Sequence, residues 1–213
     1  MRKSRGINFS EGTSIALVVD GEDEIWYFNM LKRNERQIRI NIRPEIPSRK
    51  SLDDQHAMVL DLLDKEFSHV FWIVDLDVIL REERENRTPG ESPMRRFIRY
   101  RKELLTEHSN VYVIVNNPCI EFWFYLHFKN KGRLFTTCDS AIDELKKALP
   151  GYEKSQKYFT KQGQDIYLRL KPQLEDAIRN SQRLGAFDPS EPENAKCEMH
   201  SFYMSKPLRG YFE

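Results

Sequence analysis

The chain has 213 residues, 34 Lys and Arg against 33 Asp and Glu, a formal net charge of +1 and 39% hydrophobic residues. That length buries a sizeable core without cross-links, as one large domain or a core with a small appendage, which excludes a stapled mini-protein. The balanced charge gives no global pull toward nucleic acid. No apolar run approaches the roughly 18 residues of a membrane span and no signal peptide opens the chain, so a cytoplasmic protein with reduced thiols at Cys119, Cys138 and Cys197 is expected.

Residues 13–19 are a short apolar run that stops at Asp20-Gly21, and residues 22–32 follow with Ile25, Phe28 and Leu31 at helical spacing. The pattern predicts a strand, a tight turn and a helix, with Asp20 at the strand's carboxyl end and Glu24 in the first helical turn. Acids at 22–24 also suit a helix start through its dipole alone. Residues 37–43 alternate as a half-buried or edge strand, and Ser51 with Asp54 opens a helix to about residue 67 that buries Met58, Leu62 and Leu63.

The five apolar residues 70–74 suit a parallel strand covered on both faces, and they end in Asp75-Leu76-Asp77. Alternate strand residues share a side, so both carboxylates are expected to reach one cation at the end of the sheet where open parallel sheets place ligands. An exposed acidic turn is the plainer alternative. Residues 80–92 are highly charged with a Pro-Gly break and read as a surface loop beside the pair, and Ser92-Pro93 starts a helix to about residue 107. Basic residues gather at Arg2, Lys3 and Arg5 and again at Arg87, Arg95, Arg96, Arg99 and Arg101; a solvated helix face explains the second group as well as a phosphate track does.

Residues 111–115 predict a fourth core strand, with Asn117 as the cap of the next helix and Pro118 in its first turn, where free amides could hold a phosphate. Phe122, Trp123, Phe124, Tyr125 and Phe128 read as core; Glu121 among them stands out, because an unpaired buried carboxylate is costly. Beyond residue 129 the pattern is helical: Asp139 caps a helix to 149, Pro150-Gly151 breaks it, residues 164–183 form another amphipathic segment and residues 185–196 a loop. His56, His69, His108 and His200 have no partner at metal-ligand spacing. The expected fold is α/β, an open, mainly parallel four-stranded sheet flanked by helices, with residues 1–130 as the α/β core and 131–213 as a mainly helical C-terminal extension packed on it.

Asp20-Gly21-Glu22-Asp23-Glu24 with Tyr27-Phe28, then Val74-Asp75-Leu76-Asp77, then Asn117-Pro118-Cys119-Ile120-Glu121 with Trp123 and His127, resemble in order and spacing the RloB-like proteins, encoded near restriction-modification and other phage-defence genes. These motifs span residues 12–130 of this chain. That family is in turn similar to Toprim domains, the metal-dependent catalytic modules of topoisomerases, primases, OLD-type nucleases and small RNases, in which an acid follows the first strand and an Asp-x-Asp the third. The resemblance implies catalytic roles for Asp20 and Glu24, metal binding by Asp75 and Asp77, and substrate binding by Asn117, Glu121, His127 and Lys154. Lys154 enters because Gly151-Tyr152-Glu153-Lys154 resembles a Lys-bearing element downstream in such chains; a surface lysine is its plainer reading, and a structural histidine that of His127. The chain departs from the pattern in carrying Asp20 where a Glu is usual and Asp23 where a Thr is usual. A side chain shorter by one methylene reaches its target through water.

Three carboxylates within about 4–5 Å repel by roughly 3–4 kcal/mol per pair at an effective dielectric near 20, so such a cluster favours a divalent cation. Oxygen-only ligands select magnesium or manganese over zinc. The expectation is a Toprim-like, Mg2+- or Mn2+-dependent phosphodiesterase on nucleic acid in bacterial anti-phage defence, with other defence-system subunits as partners. The alternative is a non-catalytic sensor or effector subunit that binds a nucleotide or partner in the same acidic pocket. A nuclease needs a basic track leading to the acids, whereas a sensor needs a nucleotide-sized pocket or an apolar partner surface.

Overall fold

The computed structural model describes residues 13–38, 41–46, 51–65, 67–87, 89–129, 135 and 137–212; Arg2, Lys3 and Arg5 lie outside them. The first half alternates strand and helix: β1 (Ser14–Val18), α1 (Glu22–Asn34), β2 (Asn41–Glu45), α2 (Leu52–Asp64), β3 (His69–Asp75), α3 (Leu76–Glu85), α4 (Pro93–Glu107), β4 (Val111–Asn117) and α5 (Ile120–Leu126). The second half adds α6 (Cys138–Ala148), α7 (Gln156–Phe159), α8 (Ile166–Leu170), a 3₁₀ turn (Lys171–Gln173), α9 (Leu174–Arg183), β5 (Lys196–Cys197) and α10 (His200–Tyr203). The sheet order is β2-β1-β3-β4-β5, with β1 to β4 parallel and β5 antiparallel to β4. The fold is therefore mixed α/β with a mostly parallel sheet, but with five strands rather than the expected four. The fifth is two residues long, too short to leave a periodic signature, and it lies at the edge of the stretch read as a loop.

Strand alternation divides the core. Ile15, Leu17, Phe71, Ile73 and Ile114 pack with α1, α5 and the C-terminal helices, while Ala16, Val18, Val70, Trp72, Val74, Val113 and Val115 pack with α2, α3 and α4. After β1 the chain thus turns to one face of the sheet, and after β3 to the other. The carboxyl ends of these neighbouring strands border a crevice, the usual ligand position in open α/β sheets. Among the described residues β2 is the edge strand, with Pro44 opposite Leu17 of β1.

Several local readings change. Residues 76–85 are helical, so the loop after β3 is confined to 86–92: Leu76, Ile79 and Leu80 bury a narrow apolar stripe, and the surrounding charges are its solvated face. Ser92 caps α4 as expected, but Arg96 pairs with Asp53 at 3.0 Å, Arg99 with Glu91 at 2.8 Å and Arg101 with Glu198 at 3.1 Å. Each of these three arginines is therefore neutralised by a carboxylate. Segment 164–183 is interrupted at Pro172, which cannot continue a helix and sits in the 3₁₀ turn. Thr137, not Asp139, caps α6, in a capping box with Ser140.

A buried carboxylate locks the C-terminal strand in place. Glu198 accepts from Arg101 at 3.1 Å and Phe187 N at 2.8 Å through Oε1, and from Val115 N at 3.0 Å through Oε2. Asn117 plays a similar structural part, because its Nδ2 donates to the carbonyls of Pro192 and Asn194 at 3.0 and 2.8 Å. It is the last residue of β4, so it does not cap α5; Cys119 does, and Pro118 precedes the helix across a cis peptide bond.

Candidate functional site

Asp20, Glu24, Asp75 and Asp77 line one cavity of about 850 Å³ at the carboxyl ends of β1 and β3, together with Asp23, Lys154 and the two cysteines Cys119 and Cys138. The sheet register explains the meeting: Val18 pairs with Trp72, which sets Asp20 and Asp75 two and three residues beyond that rung on adjacent strands. Asp75 continues the inward series Phe71 and Ile73, and so points to the face covered by α1 and α5. Asp77 joins it by another route than strand alternation. Asp75 ends β3 and is the N-cap of α3, and Asp77 lies in the first turn of that helix, where the dipole favours an acid.

Asp75 is the electrostatic centre of the site. Its Oδ2 accepts from Ile120 N at 3.4 Å, so the first amide of α5 faces a carboxylate rather than standing free for a phosphate. Its Oδ1 is enclosed with no hydrogen-bond partner among the described residues. Burial, then the charges of Glu24, Glu121, Asp20 and Asp77, push its pKa well above the usual carboxylate value. Glu24 is 3% exposed, and burial raises its pKa to about 8; its own backbone amide opposes the rise, and Glu121, Asp23 and Asp20 add to it. Asp77 is raised by burial and by Asp139, against the amide of Val78 and the cations Arg81 and Lys154. An enclosed orphan oxygen among acids that resist ionisation is the donor set a hard cation relieves, and its oxygens fit magnesium or manganese.

Two further residues set the geometry. Gly21 is the N-cap of α1, and a Cβ there would lie 2.9 Å from Glu24 Oε2, so a side chain at 21 would displace this carboxylate. Gln55 of α2, buried, accepts from Trp72 Nε1 at 2.8 Å, which turns its Nε2 to donate to Asp20 Oδ1 at 3.1 Å. Nothing near Gln55 in sequence announces this role, since its partners lie in β3 and just beyond β1. Replacing Gln55 with Leu is expected to lower stability by about 1–3 kcal/mol, seen as a lower urea midpoint, because Trp72 keeps a buried donor without an acceptor.

Glu121 is fully buried, and its Oε1 is satisfied by Lys154 Nζ at 2.9 Å and Tyr152 OH at 3.2 Å. Lys154 also pairs with Asp23 at 2.8 Å. Burial alone would lower the Lys154 pKa, but Glu121 and Asp23 raise it above the ordinary lysine value, so it is a fixed cation of the site wall. Cys119 and Cys138 form a disulfide, Cα to Cα 5.6 Å, which corrects the expectation of reduced thiols at both positions; Cys197 is free and buried. Cys119 caps α5 and Cys138 opens the adjacent α6, a proximity their separation in sequence conceals. Both sulfurs lie close to the Glu121 carboxylate, but as a disulfide they offer no thiolate to a metal. Asn117 and His127 are placed elsewhere, Asn117 on the 185–195 segment and His127 at the far end of α5.

A second cleft of about 470 Å³ adjoins the first through Asp77 and Cys138, and it carries Arg81 and Arg84 of α3. These lie one and two helical turns beyond Asp77, on the helix whose start holds the acids. The expectation of a loop over that stretch gives them no common face, so the sequence pattern misses them.

No helix among the described residues is long and apolar enough to cross a membrane. No curated protein and no solved structure matches the chain significantly. The model of one family matches residues 15–203, which takes in every strand but the first residue of β1 and every acid of the site. By that match the chain belongs to the RloB-like protein family.

Proposed function

We propose that the chain is a Toprim-like, magnesium- or manganese-dependent phosphodiesterase that acts on nucleic acid in bacterial anti-phage defence. The observation that carries this reading is the convergence of Asp20, Glu24, Asp75 and Asp77 on one cavity, with Asp75 Oδ1 unpartnered. An acid after β1 and an Asp-x-Asp after β3 are also the Toprim arrangement. Asp75 and Asp77 hold the cation, which when bound polarises a phosphodiester oxygen and lowers the pKa of water. Asp20, held by Gln55, orients the attacking water. Glu24, in the first turn of α1 beside these acids, is placed to hand a proton to the leaving oxygen. Arg81 and Arg84, which share the adjoining cleft with Glu85 and Asp139, are the cations placed to bind flanking phosphates.

The test is cleavage of single- and double-stranded DNA and RNA with manganese present. Asp77→Ala is expected to abolish turnover, and Asp20→Glu to raise it by up to about a hundredfold, since poor positioning of the attacking group costs that order. The cavity's volume also suits a nucleotide, which favours the sensor reading as the second choice. If the wild type and Asp20→Glu both leave all substrates intact while a nucleotide binds in an Asp77-dependent way, the sensor reading replaces the nuclease.

A further inference from the structure

A separate cavity of about 350 Å³ lies at the C-terminal end of α5, where it packs against α9. α5 has seven residues and so spans about 10 Å at 1.5 Å per residue, which sets this cavity apart from the acids at the helix's other end. Its wall is basic: Lys129, Arg179 and Arg183 face a single carboxylate, Asp176. Arg179 reaches Asp176 at 3.4 Å, whereas Lys129 and Arg183 form no ion pair among the described residues. Two cations without counter-charges among the described residues create, in a concave wall, a local positive potential that a chain of net charge +1 does not show globally.

His127, 2% exposed, lines the same cavity. Its Nδ1 lies 3.0 Å from the carbonyl oxygen of Trp123, which can only accept, so Nδ1 carries the proton and Nε2 is a bare lone pair. Burial lowers its pKa to about 4, which keeps the ring neutral at pH 7. Nε2 is enclosed and has no partner among the described residues. Asn180, also on this wall, directs its Nδ2 to Leu126 O at 2.9 Å and Lys129 O at 3.5 Å rather than to this nitrogen. The cavity thus combines unneutralised cations with an acceptor that lacks a donor.

We propose that this cavity is a binding site for a phosphate group, with Lys129, Arg179 and Arg183 holding the anionic oxygens and His127 Nε2 accepting from a hydroxyl of the same ligand. Hydrogen phosphate carries both features in one group. A ribonucleotide carries them as phosphate and sugar hydroxyl. Sulfate has the charge but no hydroxyl, and so separates the cations' part from the histidine's. The site does not depend on the acidic centre, and its failure would leave the metal reading untouched.

The experiment is calorimetric titration of the metal-free full-length chain with inorganic phosphate, adenosine 5′-monophosphate and sulfate. Phosphate or the nucleotide is expected to bind about tenfold or more tighter than sulfate, and the double variant Lys129→Gln/Arg183→Gln to weaken binding by at least a similar factor. Tighter binding of the nucleotide than of phosphate identifies a nucleotide as the source; the reverse order identifies the free anion. Asp77→Ala is expected to bind as wild type does. The proposal is overturned by no binding of either phosphate probe at millimolar concentration, by equal binding of sulfate, by an unaffected double variant, or by loss of binding in Asp77→Ala.

Discussion

In the metal-free protein, Glu24→Gln is expected to gain stability over the wild type as pH rises, from little difference near pH 4.5 to on the order of 3–5 kcal/mol near pH 8. Glu24 titrates at about 8 in the folded chain and at the ordinary 4.5 when unfolded. Between those values the native state holds a proton that the unfolded state releases, so unfolding becomes easier as pH rises. Asp75 and Asp77, also raised, act in the same direction. His127 acts oppositely: its folded-state value of about 4 lies below the ordinary 6.5, so its contribution is lost as pH falls through that interval. The raised acids outweigh the single histidine, so through these groups the wild type should lose stability as pH rises from about 4.5 toward 8. Subtracting its urea-unfolding curve from that of Glu24→Gln isolates the glutamate. Magnesium or manganese should raise the wild-type melting temperature most at pH 8, where the acids repel most strongly, and raise that of the variant less. Parallel stability curves for the two proteins would falsify the protonated state of Glu24.

Glu198→Ala is expected to destabilise the fold by about 3–5 kcal/mol, the range for removing one member of a buried ion pair. The loss has three parts. Arg101, whose Nε already lacks a partner among the described residues, is left without the carboxylate that its Nη2 contacts at 3.1 Å. The amides of Val115 and Phe187 lose their acceptor. β5 and α10, which flank residue 198 in the chain, lose an anchor to β4 and α4. Glu198→Gln keeps the shape and one carbonyl oxygen, and should cost less than half as much. Chemical denaturation of the three proteins reads the order directly, and equal stability of Ala and wild type would show that this carboxylate does not hold the C-terminal strand.

Asp20 and Asp75 were legible because each directly follows an apolar run. A buried strand must end where its backbone reaches solvent, so an acid at that end is placed with little freedom. Helix phase placed Glu24 in the first turn of α1, and the resemblance made it a site acid. The helix after Asp75 was hidden, because charged residues cover most of its surface and the Pro-Gly signal at 89–90 drew the loop boundary too early. Gln55, the Cys119–Cys138 disulfide and the Glu198 network were not legible, since each joins segments distant in the chain through side chains of ordinary type. Lys154 was reached through resemblance, and its grip on Glu121 supplies the physical reason that a carboxylate can sit among aromatic side chains. Asn117 had a clear local signal, proline beside it, but β4 extends through residue 117 and its amide serves the loop instead.

The edge strand β2 bears on how the protein behaves when crowded. A strand residue sends its N–H and C=O to the same side, and Glu45 O accepts from Val19 N at 3.0 Å, so Glu45 addresses β1. Pro44, the residue before it, therefore turns its nitrogen outward, where an N–H would otherwise await a partner. A foreign strand arriving at this rim meets a missing donor and cannot zip along it without a gap. At the other side of the sheet β5 pairs with Asn116 and Asn117 of β4. The β2 edge is thereby a poor seed for edge-to-edge aggregation.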